Sequence, residues 1–201
     1  MKRTNIQNIA IITFIAILIG TAGYLFYVRN APAKMKTYTN TTYGVSFEYP
    51  KDYQLTETAL TEGQKGTMVT ILEKGADVPE AGEGPTSISL GFYEGTATPT
   101  AKVNTLDAWI KNSPYSNWTI AKQTTPGVTT VADQSARLYT WDGLYLGTTL
   151  VTLHNGNVLM FSVTYDGETD LEKREAFTKL IASLKLTEPN STGTSTVGVS
   201  W

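Results

Sequence analysis

The residues that could do chemistry are few. His154 is the single histidine and the chain contains no cysteine, which excludes disulfides, thiolate metal sites and a cysteine nucleophile. His154 precedes a predicted hairpin turn, where its ring is expected to face solvent, and a histidine metal site would need a second histidine. The sequence has no nucleophile elbow, Ser-x-x-Lys pair or phosphate-binding glycine-rich loop. A Ser-His-Asp triad assembled across the fold stays open in principle, but we expect no catalytic residue, cofactor or metal site.

Three acids, Asp77, Glu80 and Glu83, fall in one segment rich in glycine and proline. Carboxylates are calcium ligands, but these three lack the alternating oxygen ligands of a compact calcium loop. We interpret the segment as a solvated surface loop.

Three aromatic residues, Tyr139, Trp141 and Tyr145, gather near one predicted hairpin. Such a cluster could form an aromatic platform for a glycan or a peptide. We expect Tyr139 and Trp141 to pack in the core, because burial is the usual fate of large aromatic side chains in strands. Tyr145 falls on the less apolar face, so it is the candidate for contact with a ligand at the surface.

The overall charge argues against nucleic acid as a partner. Charged residues make up 17% of the 201 residues, and the net charge is -2. Such a chain lacks the basic stripe that neutralises phosphates. Its length suits one domain with appendages.

The N-terminal region contains one long apolar segment, Ile9–Val28, which carries no charge. At ~1.5 Å rise per residue, a helix of this length spans roughly the 30 Å hydrocarbon core of a bilayer. We predict a transmembrane signal-anchor helix, with the lipid bilayer as its partner. Residues 1–8 are then a short cytoplasmic N-terminus and residues 29–36 a linker, and the remainder is extracytoplasmic.

The orientation of this helix in the membrane and its retention in the mature protein need separate arguments. Lys2 and Arg3 precede the apolar segment, but basic residues also follow it, so we adopt the usual N-in orientation of a single N-terminal helix. The alternative is a secreted protein cleaved near Ala33, because Ala31-Pro32-Ala33 has the small-x-small pattern of a processing site. Against cleavage, signal peptides have shorter apolar cores of about 7–15 residues.

From Thr37 the pattern changes to the period of two that is typical of strands. The segment Tyr43–Tyr49 alternates apolar and polar residues and is ended by Pro50. Further strands are predicted at Gln54–Thr58, Thr67–Glu73 and Thr86–Tyr93, and near Trp118–Thr124.

Two turn dipeptides divide Gln134–Tyr165 into three antiparallel strands. Asp142-Gly143 and Asn155-Gly156 favour two-residue type I′ turns, which fix the register. The predicted pairs are Trp141–Leu144, Tyr139–Leu146, His154–Asn157 and Leu150–Phe161. This register places Tyr139 and Trp141 on the more apolar face, while the opposite face is half apolar. Both faces of the sheet should therefore be covered.

Two predicted helices supply the covers. The first, at Leu106–Asn112, is capped by Asn104 or Thr105 and has Asp107 in its first turn. The second begins with a capping box of Thr169 and Glu172. Its apolar stripe contains Leu171, Phe177, Leu180, Ile181 and Leu184. The predicted fold is an α+β antiparallel sheet flanked by helices on both faces over residues 37–186, with residues 187–201 as a small, polar, flexible tail.

The order of elements resembles a known family. YTNTTYGVSFEYPKDYQL at residues 38–55, VADQSARLYTW at 131–141, HNGNVLMFSVTYD at 154–166 and IASLKL at 181–186 are similar to the opening and close of PsbP-like domains. The resemblance covers residues 37–186 and implies an antiparallel sheet between helices. The family includes an extrinsic photosystem subunit, relatives that bind a small GTPase, and many bacterial members without assigned activity. The metal-binding positions of the photosystem members have no counterpart here, so the resemblance implies no site residue.

Three functions are compatible with these observations. The leading hypothesis is a membrane-anchored, extracytoplasmic accessory or binding domain without catalytic activity. The second is a cell-envelope enzyme of the hydrolase type, with an acid or serine site that the sequence does not reveal. The third is a structural partner of another envelope or membrane protein, which would need an exposed apolar patch.

Overall fold

The computed structural model describes residues 34–60, 64–80, 84–95, 103–167 and 170–188. The predicted transmembrane helix Ile9–Val28 lies outside the described residues, as does most of the predicted tail. Among the residues that are described, no helix is both long enough and apolar enough to cross a bilayer.

The described residues form strands, two α-helices and a 3₁₀ turn. The strands are β1 (Met35–Asn40), β2 (Val45–Pro50), β3 (Tyr53–Ala59), β4 (Gly66–Glu73), β5 (Ile88–Tyr93), β6 (Gly127–Val131), β7 (Gln134–Asp142), β8 (Leu146–His154), β9 (Asn157–Tyr165) and β10 (Lys185–Leu186). The helices are α1 (Val103–Asn112) and α2 (Leu171–Ser183), and the 3₁₀ turn is Trp118–Ile120.

Two antiparallel sheets organise these elements. The large sheet has seven strands in the order β3-β4-β5-β9-β8-β7-β6, and the small sheet has the order β1-β2-β10. The fold is therefore a mostly antiparallel β-structure with two helices, as predicted. β1 begins inside the predicted linker and lacks the strong alternation that identifies β2.

The large sheet is covered on both faces. On one face, α2 and the small sheet bury a cluster that includes Phe47, Ile71, Phe161 and Leu180. On the other face, Leu106 and Ile110 of α1 pack with Val151 and Val158. We call these the α2 face and the α1 face.

The predicted β8–β9 hairpin is confirmed. His154 pairs with Asn157 and Leu150 pairs with Phe161. The turn residues Asn155 and Gly156 have φ values of 49° and 76°, as a type I′ turn requires.

The predicted register of the β7–β8 hairpin is wrong. Asp142 pairs with Leu146 and Trp141 with Gly147, so the loop has three residues instead of two. An odd shift moves a strand's side chains to the opposite face, and Tyr139 and Trp141 therefore pack on the α1 face. The physical reason is Gly147: a Cβ there would lie 2.1 Å from Trp141 Cε2, so the indole fits only opposite a glycine.

The strand predicted near Trp118–Thr124 is also wrong. The chain forms the 3₁₀ turn there, and Ala121 makes an isolated bridge to Trp141. The edge strand is instead β6, which reverses into β7 through Ala132 and Asp133, with φ values of 44° and 62°.

The starts of both helices differ from the predictions. α1 begins three residues before Leu106, so Asp107 lies beyond the first turn. Asp170 caps α2, because its side chain accepts a hydrogen bond from the Lys173 amide, and Thr169 lies outside the described residues. Leu171 is 67% exposed, so it does not belong to the apolar stripe.

Candidate binding site

Tyr145 lies in the loop between β7 and β8 and is partly exposed. Its hydroxyl donates a hydrogen bond to the Gly84 carbonyl oxygen, at 3.1 Å. Tyr145 lines an open depression of about 380 Å³. The lining residues of the depression are Thr70, Leu72, Val78, Gly84, Pro85, Ser87, Tyr145 and Thr164.

The position of the depression follows from the alternation of β4. Val69 and Ile71 are buried in the cluster on the α2 face, so Thr70 and Leu72 point to the α1 face. The wall of the depression is fixed by two hydrogen bonds between Ser87 and Thr164 of β9. The Ser87 amide donates to Thr164 Oγ1 at 2.7 Å, and the Thr164 amide donates to the Ser87 carbonyl oxygen at 2.9 Å.

The lining of the depression is suited to binding. It combines hydroxyl groups with the apolar side chains of Leu72, Val78 and Pro85, and none of its lining residues carries a carboxylate, an amine or an imidazole. The Tyr145 phenol is the ionisable group among these residues, and its hydroxyl donates to the Gly84 carbonyl oxygen. The depression therefore offers shape, apolar contact and neutral hydrogen bonds.

Sequence reasoning identified Tyr145 but missed the residues around it. They come from β4, from the segments on either side of residues 81–83, and from β9, which lie far apart in the sequence. No local motif unites them, because the sheet order and the surface segment between β4 and β5 bring them together.

The other predicted candidates lie elsewhere. Tyr139 and Trp141 are buried on the α1 face, where Trp141 Nε1 donates to Thr149 Oγ1 at 2.9 Å. Within the described ranges, no three acidic or histidine side chains come close enough to hold a metal ion. Glu83 lies outside those ranges, while Asp77 and Glu80 lie in an irregular loop.

The prediction that His154 faces solvent is wrong, because the residue is 9% exposed. Its Nε2 lies 2.8 Å from the Thr187 carbonyl oxygen and 2.9 Å from Asn155 Nδ2. The Thr187 amide in turn donates to the Gly44 carbonyl oxygen at 2.8 Å. The ring therefore holds the chain that follows β10 against the end of β8.

Two buried cations connect the helices to the large sheet. Arg137 on β7 is paired with Asp107 on α1, with Nε and Oδ1 2.5 Å apart. Lys173 on α2 is paired with Glu73 at the end of β4, at 3.2 Å, and also donates to Thr86. Their positions indicate structural ion pairs, since each one joins a helix to a strand.

Two tyrosines at one end of the domain contact carboxylates. The Tyr43 hydroxyl donates to Glu94 Oε1 at 2.8 Å, and its ring stacks on Phe92 with centroids 4.6 Å apart. Burial raises the pKa of Tyr43. Burial also raises the pKa of Tyr38 to about 12, reinforced by the nearby Glu57 carboxylate. Both phenols are therefore hydrogen-bonding groups at neutral pH.

A second concave surface runs between α2 and the large sheet. We call it the α2 groove; its volume is about 260 Å³. It is lined by Leu138, Thr148, Leu150, Val163, Arg174, Phe177, Thr178 and Ile181. Most of this lining is apolar, as is that of the depression at Tyr145.

Comparisons with known proteins agree with this architecture. No family model matches the sequence, and no curated protein matches it. The solution structure of cyanobacterial PsbP (CyanoP) from Synechocystis sp. PCC 6803 superposes with a TM-score of 0.52 at 14% identity, covering 79% of this chain and 95% of that one. A crystal structure from Bacteroides thetaiotaomicron gives a TM-score of 0.42 at 11% identity, covering 76% of this chain and 48% of that one.

The architecture thus defines an α+β domain with an antiparallel sheet between two helices. Among such domains, the likeness to CyanoP identifies the fold as PsbP-like.

Proposed function

We propose that this protein is a non-catalytic accessory domain, tethered to the cell membrane, that binds a partner protein through the Tyr145 depression. The observation that carries this proposal is the lining of the depression, which combines hydroxyl and apolar groups and contains no carboxylate, amine or imidazole. Such a surface supports recognition through apolar contact and hydrogen bonds. The PsbP-like fold adds support, since the family resemblance includes an extrinsic subunit of a larger assembly.

The partner contact is tested by site-specific photo-crosslinking in membranes that contain the full chain. A benzophenone amino acid replaces Tyr145 in one variant and the exposed Lys111 on α1 in a control variant. We expect a discrete adduct from position 145 and none from position 111. Adding Ser87→Trp, which fills the depression, should abolish the adduct. Equal labelling from both positions would contradict the proposal.

The absence of catalysis is tested separately. The purified full chain is assayed on a broad panel of hydrolase substrates, together with a Tyr145→Ala variant. We expect no turnover above buffer. Turnover that is lost on replacement of one named residue would establish the enzyme alternative.

Membrane tethering rests on the uncharged segment Ile9–Val28, which is long enough for a bilayer-spanning helix. We infer that the folded domain is extracytoplasmic, because N-in is the usual orientation of a single N-terminal helix that follows a short basic segment. Since the chain has no cysteine, Lys51→Cys introduces a single exposed thiol. We expect an impermeant maleimide to label this thiol in intact cells. Labelling only after lysis would show that the domain faces the cytoplasm.

Mass spectrometry of the purified protein tests the cleavage alternative near Ala33.

A further inference from the structure

The α2 groove is an apolar surface that the described residues leave open. Leu138, Leu150 and Val163 form its sheet side, and Phe177 and Ile181 form its helix side. Leu138 is 40% exposed because its partner on the edge strand β6 is Gly127, which has no side chain to cover it. The groove therefore opens toward the β6 edge of the sheet.

The chain beyond β10 starts close to this groove. Thr187 is held by Gly44 and His154, and His154 is the last residue of β8. Leu150 lies four residues back along the same strand, about 13 Å away at ~3.3 Å per residue. Residues 188–196, when extended, span about 30 Å at ~3.3 Å per residue. The connecting residues are therefore longer than the distance to Leu150, so a segment that begins at Val197 can reach the groove.

The sequence of that segment matches the groove in chemistry. Residues 189–201 contain no charged side chain, so docking would bury no charged side chain without a partner. Within Thr196–Trp201, the residues Val197, Val199 and Trp201 alternate with Gly and Ser, which places all three apolar side chains on one face of an extended strand.

We propose that Thr196–Trp201 docks in the α2 groove as an extended segment, with Val197, Val199 and Trp201 directed into it. α2 runs toward β10, so a segment returning from Thr187 meets Ile181 first and Arg174 last. The Arg174 guanidinium already lies 5.2 Å from the Tyr165 ring centroid, and a neighbouring indole adds a second cation–π contact. The occupant is thus a part of this chain, and the proposal is independent of the Tyr145 depression.

Disulfide trapping in the full chain tests this proposal, because the natural chain has no thiol. The test variant combines Thr178→Cys, at the rim of the groove, with Ser200→Cys. The control combines Thr130→Cys with Ser200→Cys. Thr130 is also exposed, and it lies near the β6–β7 turn on the α1 face. Every substitution replaces a hydroxyl with a thiol, so folding should be preserved, and circular dichroism verifies it.

We expect the intramolecular disulfide of the test variant to form about tenfold faster than that of the control, since docking raises the local thiol concentration. Adding Trp201→Ser to the test variant should slow disulfide formation to the rate of the control. Equal rates in the two variants would overturn the proposal. Disulfide-linked dimers would also overturn it, because they would mean that a second copy occupies the groove.

A second measurement needs no cysteine. The difference between the fluorescence spectra of the natural chain and Trp201→Ser should show a blue-shifted indole that is protected from quenchers. A solvent-exposed indole spectrum would also overturn the proposal.

Discussion

Asp107 on α1 and Arg137 on β7 form an ion pair across the helix–sheet interface, with Oδ1 and Nε 2.5 Å apart. The Arg137 side chain is 5% exposed, and that of Asp107 is 37% exposed. The Arg137 guanidinium also donates to the Ala136 carbonyl oxygen at 3.3 Å. The contact therefore fixes α1 on the sheet through a cation that has little access to water.

Replacing Asp107 with Asn should destabilise the fold by roughly 2–3 kcal/mol, because it leaves the buried Arg137 charge without a counterion. The value lies below that of a fully buried pair because Asp107 is partly solvated. The matched control is Asp142→Asn, which removes the exposed Lys122–Asp142 pair and should cost at most about 1 kcal/mol. Urea unfolding followed by circular dichroism measures both, and equal losses would refute this role for the buried pair.

Gly147→Ala should destabilise the domain by about 3 kcal/mol, since the new methyl group overlaps the Trp141 indole and forces it from its position. The control is Gly84→Ala, where an added Cβ meets no atom within 4 Å; its effect should stay within about 0.5 kcal/mol. Chemical denaturation measures the free energies of unfolding. The difference in near-ultraviolet circular dichroism from a Trp141→Phe variant isolates the Trp141 signal from those of the other three tryptophans. An unchanged Trp141 signal in Gly147→Ala would show that the strands can separate to accept the methyl group.

Ala132→Asn should stabilise the domain by about 0.5–1 kcal/mol. Ala132 has a φ of 44° in the β6–β7 turn, a left-handed conformation that asparagine adopts more readily than alanine. The same substitution at Ala108, on the exposed side of α1, should destabilise by about 0.5 kcal/mol through lower helix propensity. Thermal unfolding of the two variants should therefore shift in opposite directions. If both midpoints of thermal unfolding shifted in the same direction, the left-handed conformation of Ala132 would not determine how asparagine changes stability there.

Tyr38 should make stability fall at alkaline pH. Its pKa is about 12 in the folded protein, chiefly because of burial, and about 10 in the unfolded chain. Between these values the unfolded chain releases the proton and the folded protein keeps it, so stability is complete below pH 10 and decreases as pH rises toward 12.

The test compares the natural protein with Tyr38→Phe in urea at pH 8 to 11.5. The stability advantage of the natural protein over the variant should shrink as pH rises above 10. A constant difference across this range would show that Tyr38 titrates equally in both states.

Much of the sheet could be predicted because its strands carry local signals. Alternation marks β2 and β5, and Asn155-Gly156 fixes the β8–β9 register through its own backbone preferences. The β7–β8 register could not be read locally, since it depends on Gly147 accepting the Trp141 ring from the opposite strand. β6 lacks an apolar pattern because an edge strand needs few buried side chains.

The candidate site was predictable only in part. Tyr145 carries a local signal, a tyrosine beside a turn on the less apolar face. Thr70, Val78 and Thr164 have no such signal, because their convergence depends on the strand order and on a long surface segment. The burial of His154 could not be predicted for a related reason. Its ring is covered by Thr187, and the sequence does not show that the chain after β10 returns to the end of β8.

The small sheet has a consequence for biosynthesis. β2 pairs on one side with β1 and on the other with β10, the last described strand. During translation at about 5–20 residues per second, one edge of β2 stays unpaired for on the order of ten seconds before β10 is made. An open strand edge is a template for pairing with other chains. The fold therefore closes this edge of β2 only after the last described strand, Lys185–Leu186, has been made.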